Sequence, residues 1–306
     1  MKIPVFLSTD NNYAPYTASA IASISENTES KVDFYILDSG ISEINTEKIK
    51  QLPLKYKHTN VEFLKIDTEK EFQNFRVPSY SLHITLSTYN RFLIPQLKPC
   101  LKKIIYLDSD IIVTGDIKEL FDTDLKSYPL GAVPGQNEKF GIACAQYLGL
   151  NKKKIFNAGV LLINLEKFKE YQDKLFEIER KYRDKLVFAD QDILNMCFDN
   201  NYLELDRKFN YESETTNQCY DFIIRHYITG IKPWLISPDL ESDVINDIGI
   251  FWEYLSKTPF YEEVLENCPN KTKESMHKIR LERLLQKLVS ENPEKFIYNK
   301  IKQRGI

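Results

Sequence analysis

The sequence predicts an α/β protein with a mostly parallel central sheet and helices on both of its faces. Over the first 165 residues, short strand-like apolar runs alternate with stretches that fit helices, which is the rhythm of parallel strands joined by crossover helices. The 306 residues are enough to bury a large core. Apolar and charged contents of 42% and 28% are those of an ordinary soluble globular protein, so we expect one large domain.

Three strands and two helices are predicted at the start of the chain. The strands are expected at residues 5–8, 32–37 and 61–66, and the helices between them at residues 15–27 and 42–51. Each strand-like run is short, and each helical stretch is long enough to connect two parallel strands. The order of strand, helix, strand, helix and strand therefore favours parallel pairing.

Further helices and strand-like runs are predicted beyond this unit. Residues 81–97 fit a helix that leads into an apolar run at 104–113, and residues 166–183 fit a highly charged helix with a mostly solvated face. Residues 222–228 form another strand-like run. No segment of the sequence approaches the ~18 apolar residues that span a bilayer. The first eight residues become polar too soon for a signal peptide, so a cytoplasmic protein is expected.

The apolar run at 104–113 is interrupted by two carboxylates, Asp108 and Asp110. A carboxylate inside a buried strand loses its hydration and needs a compensating partner. Residues i and i+2 of a strand point to the same face, so the two acids should converge. Anionic oxygens that meet at the carboxyl end of a strand suit a divalent cation. The sequence predicts a metal or phosphate site here, and the alternative is a strand-end turn.

The Asp-x-Asp spacing carries little information by itself. It occurs again at residues 122–124 and 190–192, and only the copy at 108–110 has strand-like sequence on both sides. The copy at 122–124 fits a turn or a helix cap. The glycine-rich loops that bind phosphate in dinucleotide-binding proteins and P-loop enzymes do not occur in the sequence.

A metal held by two carboxylates needs further ligands, and His226 is a candidate. It lies in the strand-like run at 222–228, and Gly230 and Lys232 follow within six positions, as in a loop that approaches phosphate. A histidine in a strand is more often a core residue than a ligand, so both interpretations stay open on these grounds.

Cysteine content and charge exclude several classes. Five cysteines without Cys-x-x-Cys spacing argue against a zinc ribbon, a redox motif or a disulfide framework. Residues 271–306 carry ten basic and four acidic residues, whereas the whole chain has a net charge of −3. This tail fits either a basic amphipathic helix on an anionic membrane surface or a terminal helix packed on its own domain.

Several segments, in order, resemble the family-eight retaining glycosyltransferases of the GT-A fold, especially the bacterial lipo-oligosaccharide α-1,4-galactosyltransferase branch. They are residues 10–13 (DNNY), 83–91 (HITLSTYNR), 106–110 (YLDSD), 156–165 (FNAGVLLINL), 190–195 (DQDILN) and 226–234 (HYITGIKPW). The resemblance runs from about residue 3 to residue 235. It implies a single Rossmann-like nucleotide-sugar-binding domain of the GT-A type at 1–256, followed by a basic helical tail at 257–306.

The resemblance also implies the ligands. The donor would be UDP-galactose or UDP-glucose, and the acceptor a carbohydrate on lipid or protein, such as lipo-oligosaccharide or a glycoprotein glycan. The cofactor would be Mn²⁺, with Mg²⁺ as a substitute, because a mixed carboxylate and imidazole set suits Mn²⁺ better. The enzyme would be cytoplasmic or peripheral on the inner face of the membrane, and no nucleic-acid partner is expected.

Site residues follow from the resemblance position by position. The metal ligands would be Asp108, Asp110 and His226. The transferred sugar would be surrounded by Arg91, Asn157, Asp190 and Gln191. The nucleotide and diphosphate would be bound by Ser8, Asp10, Asn12, Tyr13, Asp108, Ser109, Asp110, Gly230 and Lys232.

The resemblance implies retention of anomeric configuration. A short-lived ion pair is expected, with Gln191 beneath the sugar and the leaving phosphate as general base. The rival is a double displacement with Asp190 as nucleophile. Residues 134–137 replace a stretch that carries an aspartate near the donor sugar in the galactosyltransferase, which leaves the donor hexose open. Acceptor loops are expected at 72–88 and 207–221.

Two other classes remain as alternatives. A non-catalytic UDP-sugar-binding protein would share the donor site without turnover. A haloacid-dehalogenase-type phosphatase would use Asp108 as its nucleophile, but that family places this aspartate near the N-terminus.

Overall fold

The computed structural model describes residues 2–77, 85–151, 154–212, 221–240 and 248–271, together with residues 279, 281, 292–295 and 297. Within these residues the strands are β1 (Lys2–Thr9), β2 (Lys31–Asp38), β3 (Thr59–Lys65), β4 (Lys103–Leu107), β5 (Ile111–Val113), β6 (Leu130–Pro134), β7 (Phe156–Asn164), β8 (Leu203–Glu204) and β9 (Ile224–His226).

The α-helices of the described residues are α1 (Ala14–Asn27), α2 (Glu43–Lys50), α3 (Leu52–Lys55), α4 (Thr68–Glu71), α5 (Ile94–Leu97), α6 (Lys118–Asp122), α7 (Glu138–Leu148), α8 (Leu165–Lys169), α9 (Gln172–Tyr182), α10 (Asp190–Cys197), α11 (Ile248–Leu255) and α12 (Tyr261–Glu266). Short 3₁₀ helices lie at Leu86–Leu93, Arg207–Phe209 and Pro233–Leu235.

Seven strands form the central sheet in the order β3-β2-β1-β4-β7-β6-β8. All neighbours pair in parallel except at β7, which is antiparallel to both β4 and β6. A separate two-stranded antiparallel ribbon joins β5 to β9. The prediction of an α/β protein with a mostly parallel sheet is confirmed, and the first three strands and two helices lie within a few residues of the predicted ranges.

Successive residues of β1 face opposite sides of the sheet, as the two-residue period of a strand requires. Val5 and Leu7 enter one hydrophobic core together with α1 and α11, and Phe6 enters a second core that contains β7, α9 and α10. The sheet is therefore covered on both faces, which leaves its carboxyl edge as the accessible place for a ligand.

The helix predicted at 81–97 is wrong in type. Residues 86–93 form a 3₁₀ helix, and α5 begins only at Ile94. The physical reason is Pro95, which has no N–H to donate to Arg91 O and therefore cannot continue an α-helix from the preceding turn. Residues 78–84 lie outside the described part of the chain, including His83 and the middle of the expected acceptor loop at 72–88.

Two other predicted elements are divided. The run at 104–113 forms β4 and β5, which belong to different sheets, with residues 108–110 in the bend between them. The helix predicted at 166–183 forms α8 and α9, because Glu170 N donates to Lys167 O and Tyr171 N to Phe168 O, which tightens and ends the first helix.

The predicted tail at 257–306 lies mostly outside the described residues beyond residue 271. In the described part, Phe260, Val264 and Ile279 are buried in the same hydrophobic core as β1, and Ile297 is buried against α7. These contacts attach parts of the tail to the main domain, and the division at residue 256 stays a prediction. Among the described residues, no helix combines the length and the apolarity that crossing a bilayer requires.

Candidate functional site

Asp108, Asp110 and His226 are positioned by main-chain pairing of strands. Asp108 follows β4, and its N–H donates to Gly159 O at 2.8 Å, one residue beyond the β4–β7 ladder. Asp110 precedes β5, its carbonyl accepts from Tyr227 N at 3.0 Å, and the next residue pairs with His226. The two acids converge because two separate ladders end at the same point, and not because they occupy one strand as the i, i+2 argument assumed.

The three side chains form a cluster suited to a divalent cation. One ligand atom from each residue lies within 4.8 Å of the others. His226 Nε2 is 3.1 Å from Asp110 Oδ1 and 3.9 Å from Asp108 Oδ2. Two carboxylates with one imidazole form a mixed oxygen and nitrogen set that fits Mn²⁺. The residues present therefore fit the metal that the sequence predicts, and their role as ligands stays a prediction.

Lys232 reaches the same cluster from the segment after β9. Its Nζ lies 2.6 Å from Asp110 Oδ2 and also donates to Tyr227 O. The lysine side chain is buried, so its charge depends on this carboxylate for compensation. Burial by itself would raise the pKa of Asp110, but Lys232 and His226 hold that pKa well below its usual range. The Asp110 carboxylate is therefore ionised across the physiological pH range.

Arg91 joins two of the acids on the other side of the cluster. Its side chain is buried, with Nη2 at 2.9 Å from Asp108 Oδ1 and Nε at 3.1 Å from Asp190 Oδ2. The guanidinium lies over the Tyr106 ring at 4.1 Å, and Tyr106 Oη donates to Asp108 Oδ1. Thr88 Oγ1 donates to Asp190 Oδ1. Burial raises the pKa of Asp190 to about 6 despite the opposing charge of Arg91.

Gln191 lies at the start of α10, beside Asp190. Its Oε1 accepts from Ala158 N at 3.2 Å, which fixes the direction of the side-chain amide. The residue before the helix, Ala189, has φ of 49°, a conformation that a non-glycine residue rarely adopts. This strained residue sets the direction in which α10 begins, and so the positions of both candidate catalytic side chains.

Gly159 leaves room for the metal cluster, a role that the sequence interpretation did not assign. A Cβ on Gly159 would lie 2.2 Å from His226 Cε1 and 2.7 Å from Asp108 Oδ2. Both distances are far below van der Waals contact, so only glycine fits here. The signal in the sequence was a glycine in the interior of a buried strand, which often marks a close approach.

The residues predicted to bind the nucleotide lie at the carboxyl end of β1 and the start of α1. Asp10 Oδ1 accepts from the N–H groups of Asn12 and Tyr13, which closes a tight turn before the helix. The Tyr13 ring packs edge-on against Trp234 at 5.9 Å. Asn12 is exposed and Asp10 half-buried, so both are open to a ligand.

Two of the predicted nucleotide-binding hydroxyls are directed into the protein. Ser109 is buried, and its Oγ donates to Ser8 O and also bonds Thr17 at 2.9 Å. Ser8 Oγ donates to Ser87 O at 2.7 Å. In this arrangement Ser109 ties the loop at 108–110 to the end of β1. Gly230 is exposed in the bend after β9, and the expected acceptor loop at 207–221 lies outside the described residues from 213 to 220.

Comparison with known proteins identifies the family. A family model described as glycosyl transferase family 8 matches residues 4–237, which include every residue of the cluster. The chain belongs to glycosyl transferase family 8. Among solved structures, this family 8 protein is similar to the galactosyltransferase LgtC in complex with donor and acceptor sugar analogues. The TM-score is 0.72 at 28% identity, over 84% of this chain and 96% of that one. Its fold is therefore the GT-A fold, as predicted.

Curated relatives of this family 8 protein include bacterial glycosyltransferases. It is 32% identical over 248 residues to glycosyltransferase GlyF of Streptococcus pneumoniae, covering 76% of this chain and 58% of the relative. It is 30% identical over 248 residues to a lipopolysaccharide 1,2-glucosyltransferase of Escherichia coli, covering 74% and 71%. The chain thus spans less than two thirds of the length of GlyF.

Proposed function

We propose that this protein transfers a hexose from a UDP-sugar to a carbohydrate acceptor, with retention of configuration and with Mn²⁺ as cofactor. The observation that carries the proposal is the cluster of Asp108, Asp110, His226 and Lys232 at the carboxyl edge of the sheet. Sugar transfer from a nucleotide creates negative charge on the departing diphosphate, and this cluster is where a cation and an ammonium group would meet it.

Each of these side chains has a role in the proposal. Asp108, Asp110 and His226 hold the metal, which when bound supplies positive charge to the diphosphate. Lys232 presents its ammonium group to the same phosphate, because its Nζ already lies at the edge of the cluster. The ammonium charge interacts more strongly with the phosphate charge of the transition state than with that of the ground state. It therefore favours bond breaking.

Retention through a short-lived ion pair is favoured over a double displacement. Asp190, the rival nucleophile, has Oδ1 bonded to Thr88 and Oδ2 paired with Arg91. A carboxylate with both oxygens engaged by protein groups is poorly placed to attack the sugar. Gln191 has an amide oxygen whose direction Ala158 N fixes, and it is the better group to stabilise positive charge on the sugar.

The donor is proposed to be UDP-galactose or UDP-glucose. Gln136 occupies the stretch at 134–137 where the related galactosyltransferase branch carries an aspartate. Its Oε1 accepts from Arg207 Nε at 2.8 Å and its Nε2 donates to Asn210 O. Both ends of the Gln136 amide are hydrogen-bonded to protein groups. The Gln136 side chain therefore does not select the donor as the aspartate would. The acceptor is proposed to be a bacterial surface glycan, on lipo-oligosaccharide or on a glycoprotein.

The test is release of UDP from a panel of UDP-hexoses, with and without Mn²⁺. We expect metal-dependent hydrolysis of at least one donor and its abolition in Asp110→Ala. The matched control is Asp124→Ala, since Asp124 belongs to another Asp-x-Asp copy and its Oδ1 accepts from Lys126 N in an exposed turn. Release of inorganic phosphate from simple esters would instead support the phosphatase, and UDP-sugar binding without turnover the binding protein.

A further inference from the structure

His226 has a second ring nitrogen, and its partner is a buried side-chain amide. Nδ1 of His226 lies 2.9 Å from Asn210 Oδ1. Asn210 is fully buried and His226 nearly so. Asn210 follows the 3₁₀ helix at Arg207–Phe209, inside the segment 207–221 that was expected to be an acceptor loop, and no individual role was predicted for it. The orientation of its amide decides which ring nitrogen of His226 carries a proton.

The orientation of the Asn210 amide is dictated by a chain of hydrogen bonds that starts at the main chain. Gly159 N donates to Asn157 Oδ1 at 2.8 Å, and a main-chain N–H can only donate, so this atom of Asn157 is an acceptor. Asn210 Nδ2 lies 2.8 Å from the same oxygen and therefore donates to it. The other end of the Asn210 amide is its oxygen, which faces His226.

The proton on His226 follows from this chain. An amide oxygen has no proton to give, so Nδ1 must be the donor in the bond to Asn210. In the neutral ring, Nε2 then has a lone pair, and it points at Asp110 Oδ1 across 3.1 Å. Two facing lone pairs repel unless a proton or a cation lies between them. Nδ1 is thus the ring nitrogen that donates to Asn210, and Nε2 is the ring nitrogen that faces the two carboxylates.

We infer that Asn210 is a positioning residue that fixes the Nδ1–H tautomer of His226 and thereby presents Nε2 to the metal. Metal-binding histidines commonly donate their other N–H to an oxygen acceptor, which orients the ring and raises the affinity of the site. Here the acceptor is the side-chain oxygen of Asn210, whose direction is set by the hydrogen bonds from Gly159 N and Asn210 Nδ2 to Asn157 Oδ1. The inference rests on the proposed metal role of His226, but the proton on Nδ1 is a property of the metal-free protein.

The first test is the tautomer, measured without metal. Long-range ¹H–¹⁵N NMR spectra of ¹⁵N-histidine-labelled protein at pH 8 distinguish Nδ1–H from Nε2–H, and a His226→Gln variant assigns the signal. We expect Nδ1 of His226 to carry a proton in the wild type, in the neutral ring or in an imidazolium whose Nε2–H meets Asp110, and we expect this preference to be lost in Asn210→Leu. A ring protonated only at Nε2 in the wild type would overturn the inference, whatever the protein does with UDP-sugars.

The second test is Mn²⁺ affinity, measured by calorimetry in the presence of UDP. Asn210→Leu should weaken binding by about 10- to 100-fold. Asn210→Asp keeps an oxygen for Nδ1 but sets its second oxygen against Asn157 Oδ1, so it should bind Mn²⁺ more tightly than Asn210→Leu and less tightly than the wild type. The matched control is Asn27→Leu, which also removes a bonded amide but at the far end of α1. Equal affinities in folded Asn210→Leu and wild type would refute the role.

The two tests distinguish failure of the inference from failure of the proposed function. If His226 has the Nδ1–H form but the wild type binds no Mn²⁺, the metal proposal is wrong and the hydrogen-bond chain stands. If the wild type binds Mn²⁺ while His226 shows no preference for Nδ1–H, Asn210 is not the residue that positions it. Should Asn210→Leu fail to fold, Asn210→Asp and the wild-type spectrum still decide the inference.

Discussion

Lys232 Nζ lies 2.6 Å from Asp110 Oδ2, although 122 residues separate them in the sequence. The opposite acid, Asp108, is paired in the same way with Arg91. Lys232 and Arg91 therefore offset most of the negative charge of Asp108 and Asp110, and Arg91 also faces Asp190. A cation that binds alone gains little electrostatic energy there. When a cation binds together with a diphosphate, the negative charge of the diphosphate compensates the positive charge of the cation.

Replacing Lys232 by Met should separate metal binding from nucleotide binding. Removing one positive charge from the cluster favours the bare cation, so we expect Lys232→Met to bind Mn²⁺ at least as tightly as the wild type without UDP. Affinity for UDP and the rate of turnover should both fall, turnover by about 100-fold or more. Calorimetric titrations with and without UDP measure this, with Lys118→Met as a surface control. Weaker binding of Mn²⁺ alone would contradict the charge argument.

Gly159→Ala should damage the metal site directly. The new Cβ would lie 2.2 Å from His226 Cε1, so the imidazole or the β7 main chain must move. We expect a loss of roughly 1–3 kcal/mol in the free energy of unfolding and a clear loss of Mn²⁺ affinity. The control is Gly141→Ala in α7, where the nearest atom would be 3.8 Å away. A functional Gly159→Ala enzyme with unchanged stability would show that the cluster is looser than described.

Gln191→Ala should affect chemistry more than binding. If its amide oxygen stabilises positive charge on the sugar, kcat falls on the order of 100-fold while affinity for UDP stays within a few-fold. Gln172→Ala is a suitable control, because Gln172 is also a buried glutamine, and its Nε2 donates to Phe92 O beside the second core. Parallel losses in kcat and UDP affinity would assign Gln191 to donor binding instead.

Asp190 should make the stability of the protein depend on pH. Its pKa is raised from 3.8 to about 6 in the folded state, so the folded protein binds this proton more tightly than the unfolded chain. Its stabilising effect is present below about pH 4 and is lost as the pH rises through 6. Relative to Asp190→Asn, the wild type should lose roughly 1–3 kcal/mol of unfolding free energy between pH 4 and 7. Urea denaturation measures this difference, and a constant value would contradict the assignment.

The sequence predicted the fold better than it predicted individual elements. Alternating apolar runs determine a parallel sheet over a long stretch, so a few wrong boundaries do not alter the fold class. The helix expected at 81–97 is wrong because Pro95 interrupts the α-helical hydrogen bonds. The run at 104–113 forms two strands, which the sequence does not show because apolar continuity does not reveal which partner each half pairs with.

The candidate site was predictable at positions where the residue type does not fit a buried apolar strand. Carboxylates inside an apolar run indicated Asp108 and Asp110, and the resemblance supplied His226. Gly159 and Asn210 were missed for a different reason. Their roles exist only in contacts between distant segments, and a glycine or an asparagine is common enough to have no meaning before those contacts are known.

The β5–β9 ribbon has a consequence for how this site tolerates change. Asp110 and His226 flank a single pair of hydrogen-bonded strands, so the spacing of their ligand atoms is inherited from backbone geometry that every antiparallel ribbon shares. Loops in the chain between the two strands can therefore lengthen, shorten or exchange their sequences without altering the spacing of these two residues. In the proposed function, acceptor preference can change through such loops while the proposed cation ligands keep their relative positions.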